Sequence, residues 1–148
     1  MKIGIIGTGS IVIAFLEAVK KVENISVVAL YSRQIDKANQ IAAKYQIPHT
    51  FDNLDRMLGS DFVDFVYIAS PNSLHFQQAR KSLLYGKNVI CEKPFTSTLN
   101  ELDELINLSI IKKLYLFEAI TTIHLPNFKQ LKKDLQQLGE VRGGQFTY

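Results

Sequence analysis

Two glycines flank a threonine at Gly7-Thr8-Gly9, directly after the apolar run that ends at Ile6 and before Ser10-Ile11. Glycines at this spacing let a backbone turn tightly and come close to a phosphate, and the free N–H groups of a following helix attract the anion. Gly7, Thr8, Gly9, Ser10 and Ile11 are therefore expected to contact a pyrophosphate, the alternative being a plain strand-to-helix turn. Val12 stands where a third glycine would complete the fingerprint and let helix and strand pack closely. About twenty residues beyond the glycines, an acid would accept from the ribose hydroxyls of NAD. The sequence there reads Tyr31-Ser32-Arg33. A hydroxyl followed by a guanidinium suits the 2′-phosphate of NADP, so NADP is the expected cofactor. NAD is the alternative, with Arg33 then an ordinary exposed cation. Asp36 lies farther on and is expected to start a helix.

These residues act together only if the chain delivers them to one edge of a sheet. The run from Ile3 to Ile6 reads as a strand buried on both faces, and Ile25 to Tyr31 as the next strand. Between them Val12, Phe15, Leu16, Val19 and Val22 recur at helical spacing, predicting a helix over 10–21. Ile35, Ala38, Ile41, Ala42 and Tyr45 mark a second helix before Pro48, and 52–58 a short one. Val63 to Ala69 is β-branched and aromatic, entering the turn Ser70-Pro71-Asn72. A helix over 73–85, stopped by Gly86, leads to the strand Asn88 to Cys91. Thr98 and Glu101 have capping-box spacing ahead of Leu102, Leu105 and Ile106, and Leu114 to Phe117 reads as a further strand.

Strict alternation of strand and helix implies an α/β fold, a doubly wound parallel sheet of Rossmann type with right-handed crossovers. Ligands of such sheets bind at the carboxyl ends of the strands. Here those ends are Gly7-Thr8-Gly9, Ser32-Arg33, Ala69-Ser70-Pro71-Asn72, Glu92-Lys93-Pro94 and Glu118.

Composition narrows the classes further. With 148 residues, 47% hydrophobic and 21% charged, the chain suits one globular domain plus part of another. The net charge of +3 is dispersed, with Lys20-Lys21, Lys112-Lys113 and Lys132-Lys133 among the basic pairs. That is too little for a nucleic-acid surface but favours an anionic ligand. Cys91 is the single cysteine, so no intramolecular disulfide can form; a buried inert thiol and a cytoplasmic location are expected. The first apolar residues reach a glycine turn too soon for a signal peptide or a membrane span. No metal site is expected.

With the glycine turn, the segment Asp64-Phe65-Val66-Tyr67-Ile68-Ala69-Ser70-Pro71-Asn72-Ser73-Leu74-His75 and the segment Val89-Ile90-Cys91-Glu92-Lys93-Pro94, the chain resembles the Gfo/Idh/MocA oxidoreductase family. The resemblance runs to about Glu118 and continues into Gly139-Glu140-Val141-Arg142. It implies that Ala69, Ser70, Pro71 and Asn72 border the cofactor near its diphosphate and nicotinamide end. His75 matches the histidine of the same motif, either touching the cofactor or serving local hydrogen bonds. It also implies that Glu92 and Glu118 lie beside the cofactor. Lys93 matches a lysine that acts as general acid/base or substrate-orienting group next to the nicotinamide. A lysine partly withdrawn from water near the oxidised ring's positive charge loses its proton more easily, which suits that role. The alternative is a solvated loop cation.

The implied function is an NADP-dependent dehydrogenase or reductase acting on a sugar, polyol, cyclic diol or related hydroxy/carbonyl compound. Residues 1–120 would bind the nucleotide and 121–148 would begin a truncated α+β domain for substrate and oligomerisation, the full-length protein being a homo-oligomer. Ile120 to Pro126 reads as a crossover, Phe128, Leu131, Leu135 and Leu138 as a helical stripe, and Val141 to Tyr148 as a strand. A chain without the rest of that domain is expected to be inactive alone. The competing reading is a nucleotide-sensing module without catalysis. A methyltransferase or epimerase gives no reason for the two later motifs.

Overall fold

A computed structural model describes residues 1–137, Glu140 and Gly143. Six strands form one sheet in the order β3-β2-β1-β4-β5-β6, every neighbouring pair parallel. They are β1 (Lys2–Ile6), β2 (Ser26–Tyr31), β3 (His49–Phe51), β4 (Phe65–Ile68), β5 (Asn88–Cys91) and β6 (Leu116–Glu118). The helices are α1 (Ser10–Val19), α2 (Ile35–Tyr45), α3 (Leu54–Leu58), α4 (His75–Leu84), α5 (Leu99–Lys112) and α6 (Pro126–Leu135).

Side chains alternate across a strand, so the apolar central strands feed both faces of the sheet. Ile5 and Tyr67 join Val12 and Leu16 of α1 and Ala38 and Ala42 of α2 in one core. Ile6, Val66 and Ile68 join Leu58 of α3, Leu83 of α4 and Leu105 of α5 in the other. This is the doubly wound α/β architecture. The chain leaves β1 for β2 on one side, then returns to place β4 on the other side of β1. The strand order reverses there, and the crevice at the carboxyl ends of β1 and β4 is where such sheets take ligands.

The ends of the elements carry their own signals. Thr98 caps α5 by accepting from the Glu101 N–H, and the Glu101 carboxylate accepts from the Thr98 N–H. Gly86, at φ 76, stops the chain just past α4. Some boundaries differ from the periodic reading. α1 ends at Val19, so Val22 is half-exposed in the following turn instead of continuing the buried face. The helix expected from residue 73 starts as a 3-10 turn over Asn72–Leu74, and α4 begins at His75. β6 starts at Leu116, two residues after the expected Leu114. β3 was not anticipated: three residues pairing with Ala29, Leu30 and Tyr31 are too few for a visible period.

Beyond β6 a second 3-10 turn, Thr121–His124, leads into α6. Phe128, Leu131 and Leu135 fall on one face of α6, as their spacing predicts, and remain partly solvent-exposed. Leu138, Gly139 and the strand expected over 141–148 lie outside the described residues. Among the described residues no helix is long and apolar enough to cross a membrane.

Candidate functional site

At the β1–α1 turn, Gly7 has φ 120 and its N–H donates to the Tyr31 carbonyl at 3.1 Å. A Cβ at Gly7 would overlap the carbonyl of Ala69, at the end of β4. Glycine is thus required both by the backbone angle and by the close approach of two strand ends. Gly9 precedes α1 with no side-chain cap, and the first turn of α1 holds no acidic residue. The helix therefore presents its unpaired N–H groups and its positive dipole end without a competing anion. Val12, in the place of a third glycine, is fully buried and packs with Ile5 and Leu16 in the α1-side core.

A cavity of 780 Å³ opens at these strand ends. It lies within the roughly 300–1,000 Å³ usual for small-molecule sites. Gly7, Thr8 and Gly9 form its floor from β1; Ser32 and Arg33 line it from β2; Ala69, Ser70 and Pro71 line it from β4. Ser32 is 9% exposed, and its Oγ accepts from the Gln34 N–H at 3.1 Å, which shapes the turn that presents Arg33. The Ser70 hydroxyl donates to Gln78 Oε1 at 2.6 Å, fixing the β4 turn to α4.

Sequence reasoning missed Lys37, which lines the same cavity from the first turns of α2 together with Gln34. Its only mark in the sequence is a cation four residues after Arg33, which fixes no shared face because α2 begins at Ile35. Neither Arg33 nor Lys37 forms an ion pair among the described residues. Two unneutralised cations beside a bare helix N-terminus suit a ligand with phosphates at both places. The residues present therefore fit a phosphorylated dinucleotide: glycines that admit close backbone approach, and paired cations where the ribose phosphate of NADP would lie.

The remaining expected residues sit outside that cavity. Ser10 and Ile11 are exposed on the first turn of α1, and Asn72 is exposed in the 3-10 turn before α4. Lys93 is exposed after β5, and its amine meets no hydrogen-bond or ion-pair partner among the described residues. The backbone around it is held from several sides. The Glu92 N–H donates to the Ile68 carbonyl at 2.9 Å, and the Phe95 N–H donates to Glu118 Oε1 at 3.0 Å. Glu92 Oε1 accepts from the Tyr67 hydroxyl at 2.6 Å, and the Tyr67 ring stacks on Phe15 of α1 with centroids 4.0 Å apart. Burial, then the bond to Glu92, pushes the Tyr67 hydroxyl well above its ordinary range, so it stays a donor. One oxygen each of Glu92 and Glu118 is thus committed to bracing the Lys93 turn.

Of the two roles expected for His75, the structure shows hydrogen bonding and not cofactor contact: it is 1% exposed with both ring nitrogens facing backbone carbonyls. Burial and these two bonds leave it no free polar atom for a ligand. Which nitrogen donates depends on the tautomer, and a doubly protonated ring donates from both. Cys91 is buried as expected; burial first, then the charges of Glu92 and Glu118, push its thiol up to about 12, which makes it unreactive.

Comparison with known proteins agrees with this geometry. The oxidoreductase family with an NAD-binding Rossmann fold, GFO_IDH_MocA, matches residues 1–119. The chain is 44% identical over 142 residues to the scyllo-inositol 2-dehydrogenase (NADP(+)) IolU of Bacillus subtilis (strain 168), covering 96% of this chain and 43% of that protein. It is 37% identical over 92 residues to the D-xylose 1-dehydrogenase (NADP(+)) of Hypocrea jecorina, covering 62% of this chain and 23% of the relative. Among solved structures, KijD10, a 3-ketoreductase from Actinomadura kijaniata in complex with NADP and TDP-benzene, superposes with a TM-score of 0.88 at 27% identity. That match covers 93% of this chain and 42% of KijD10. The chain therefore spans less than half the length of these relatives. With the strand order, the glycine turn and the Lys93 turn all in agreement, the chain belongs to the Gfo/Idh/MocA oxidoreductase family.

Proposed function

We propose that this chain binds NADP for a dehydrogenase or reductase whose substrate is a sugar, polyol, cyclic diol or related hydroxy/carbonyl compound. The observation that carries the reading is the cavity at the β1, β2 and β4 ends, where bare glycines and two unpaired cations face the same space. Gly7, Thr8, Gly9, Ser10 and Ile11 hold the diphosphate through backbone N–H groups, and Ser32, Arg33 and Lys37 hold the 2′-phosphate. Ala69, Ser70, Pro71 and Asn72 form the wall toward the nicotinamide, with Glu92 and Glu118 behind it. When bound, the cofactor supplies the hydride chemistry. Lys93 Nζ exchanges a proton with the substrate oxygen, as its free amine at a strand end allows.

The relatives' names support this substrate class: one acts on scyllo-inositol, one on D-xylose, and others on trans-1,2-dihydrobenzene-1,2-diol. Residues 1–120 form the nucleotide-binding domain and 121–148 belong to the start of the domain that selects the substrate. In the whole protein that domain also builds a homo-oligomer, and the location is cytoplasmic.

Calorimetric titration of this chain with NADPH and NADH in parallel tests the cofactor assignment. NADPH is expected to bind more tightly. Arg33→Ala weakens NADPH by roughly tenfold or more, the loss expected for a charge-assisted bond, and leaves NADH unchanged. Lys37→Ala acts in the same direction. Equal affinity for the two cofactors, or an Arg33→Ala loss shared by both, would overturn the 2′-phosphate assignment.

A further inference from the structure

One side chain touches both of the turns on which the proposed reaction depends. His75 opens α4, and its Nε2 lies 2.9 Å from the Ser70 carbonyl while its Nδ1 lies 2.8 Å from the Pro94 carbonyl. Ser70 walls the nucleotide cavity, and Pro94 follows Lys93 directly. Of the other side-chain bonds at these turns, the one from the Tyr67 hydroxyl to Glu92 Oε1 joins β4 to the Lys93 turn without reaching Ser70, and the rest run elsewhere. Ser70 Oγ is tied to Gln78 within its own turn and helix, and the Phe95 N–H is tied to Glu118 of β6. A buried polar ring is costly unless its nitrogens are satisfied, and an apolar side chain would fill the same space without that demand. A carbonyl oxygen only accepts, so the ring bonds both at once only with a proton on each nitrogen; what the imidazole then adds is a fixed spacing between two carbonyls five residues before it and nineteen after it.

We propose that His75 is a positioning residue that straps the phosphate-side turn to the Lys93 turn, so that a dinucleotide seated against Ser70 also fixes the backbone carrying Lys93. The strap rests on the geometry alone; its consequence for turnover rests on the proton role given above to Lys93. The two halves of the strap can be cut separately. In asparagine the amide nitrogen is two bonds beyond Cβ, as is Nδ1 of histidine; in glutamine it is three bonds beyond, as is Nε2. His75→Asn therefore keeps the Pro94 half and releases Ser70, whereas His75→Gln keeps the Ser70 half and releases Pro94.

Amide hydrogen exchange, resolved by NMR on this chain with and without NADPH, reads both turns at once. The Leu74 N–H, bonded to the Pro71 carbonyl, reports on the first turn, and the Phe95 N–H on the second. In the unsubstituted chain NADPH is expected to slow exchange at both amides. Without ligand, His75→Asn speeds Leu74 by roughly three- to tenfold, the factor for one hydrogen bond, and leaves Phe95 unchanged. His75→Gln does the reverse, and it keeps NADPH affinity while His75→Asn weakens it.

A residue needed only for folding would loosen both turns alike in both variants, and that result would overturn the strap. So would protection of Leu74 alone when NADPH binds the unsubstituted chain, a measurement that holds even if neither variant folds. Failure of NADPH to bind at all would sink the cofactor assignment instead, and the contrast between the ligand-free variants would still decide the strap.

Discussion

Lys93 is the residue whose surroundings ask most of its backbone and least of its side chain. Glu92, Pro94 and Phe95 are each bonded to a different element, while the amine between them stands free. A proton carrier needs this combination: a fixed origin and an unengaged terminus. In a protein with its complete substrate-binding domain, Lys93→Ala is expected to lower kcat by about a hundredfold or more, the scale of general acid–base catalysis, with NADP affinity kept. Steady-state turnover and calorimetric binding on the same variant check it; unchanged turnover would remove Lys93 from the chemistry. At this scale much was legible in the sequence, because glycine, arginine and lysine at strand ends declare their chemistry by type. His75 was legible only in part: hydrogen bonding was one of its two expected roles, but its reach to the Pro94 carbonyl nineteen residues on leaves no mark on local spacing.

The elements were legible where a period is long enough to repeat. α2 has apolar positions at three- and four-residue steps from Ile35 to Tyr45 and spans them, and α5 starts where the Thr98–Glu101 spacing places it; β3 has three residues and no period. Its pairing with β2 is a tertiary choice that short strands inherit from their neighbours. Lys37 belongs to the same lesson: its place in the cavity depends on how far α2 leans over the end of β2, which spacing alone does not set. The capping box of α5 gives a prediction at this scale. Thr98→Ala removes the acceptor for the Glu101 N–H at the entry to a helix that packs Leu105 into the core. A loss of about 1 kcal/mol is expected, readable as a lower denaturant midpoint at unchanged slope, with NADPH affinity unaffected.

Over the whole molecule, the strand order puts every cavity-lining turn at one end of the sheet, so stability and binding are largely separable in space. The β1–α1 turn is where they meet, and its two glycines answer differently. Gly7 is confined by its φ and by the Ala69 carbonyl, whereas Gly9, at φ −76, adopts a backbone open to any residue and has nothing within 4 Å of a built Cβ. As the residue just before α1, Gly9 is also where an aspartate would cap the helix and please its dipole. The fold and the ligand thus make opposite demands on one position: the better helix terminus is an acid, and an acid would stand where a phosphate must come. Gly9→Asp is therefore expected to melt no lower than the parent protein, yet to lose NADPH binding by tenfold or more. Thermal unfolding with and without NADPH reads both sides of that conflict; a variant that unfolded early, or that kept its ligand-induced shift, would mean that no such conflict exists. Glycine at this site is then a concession made by the helix to its guest.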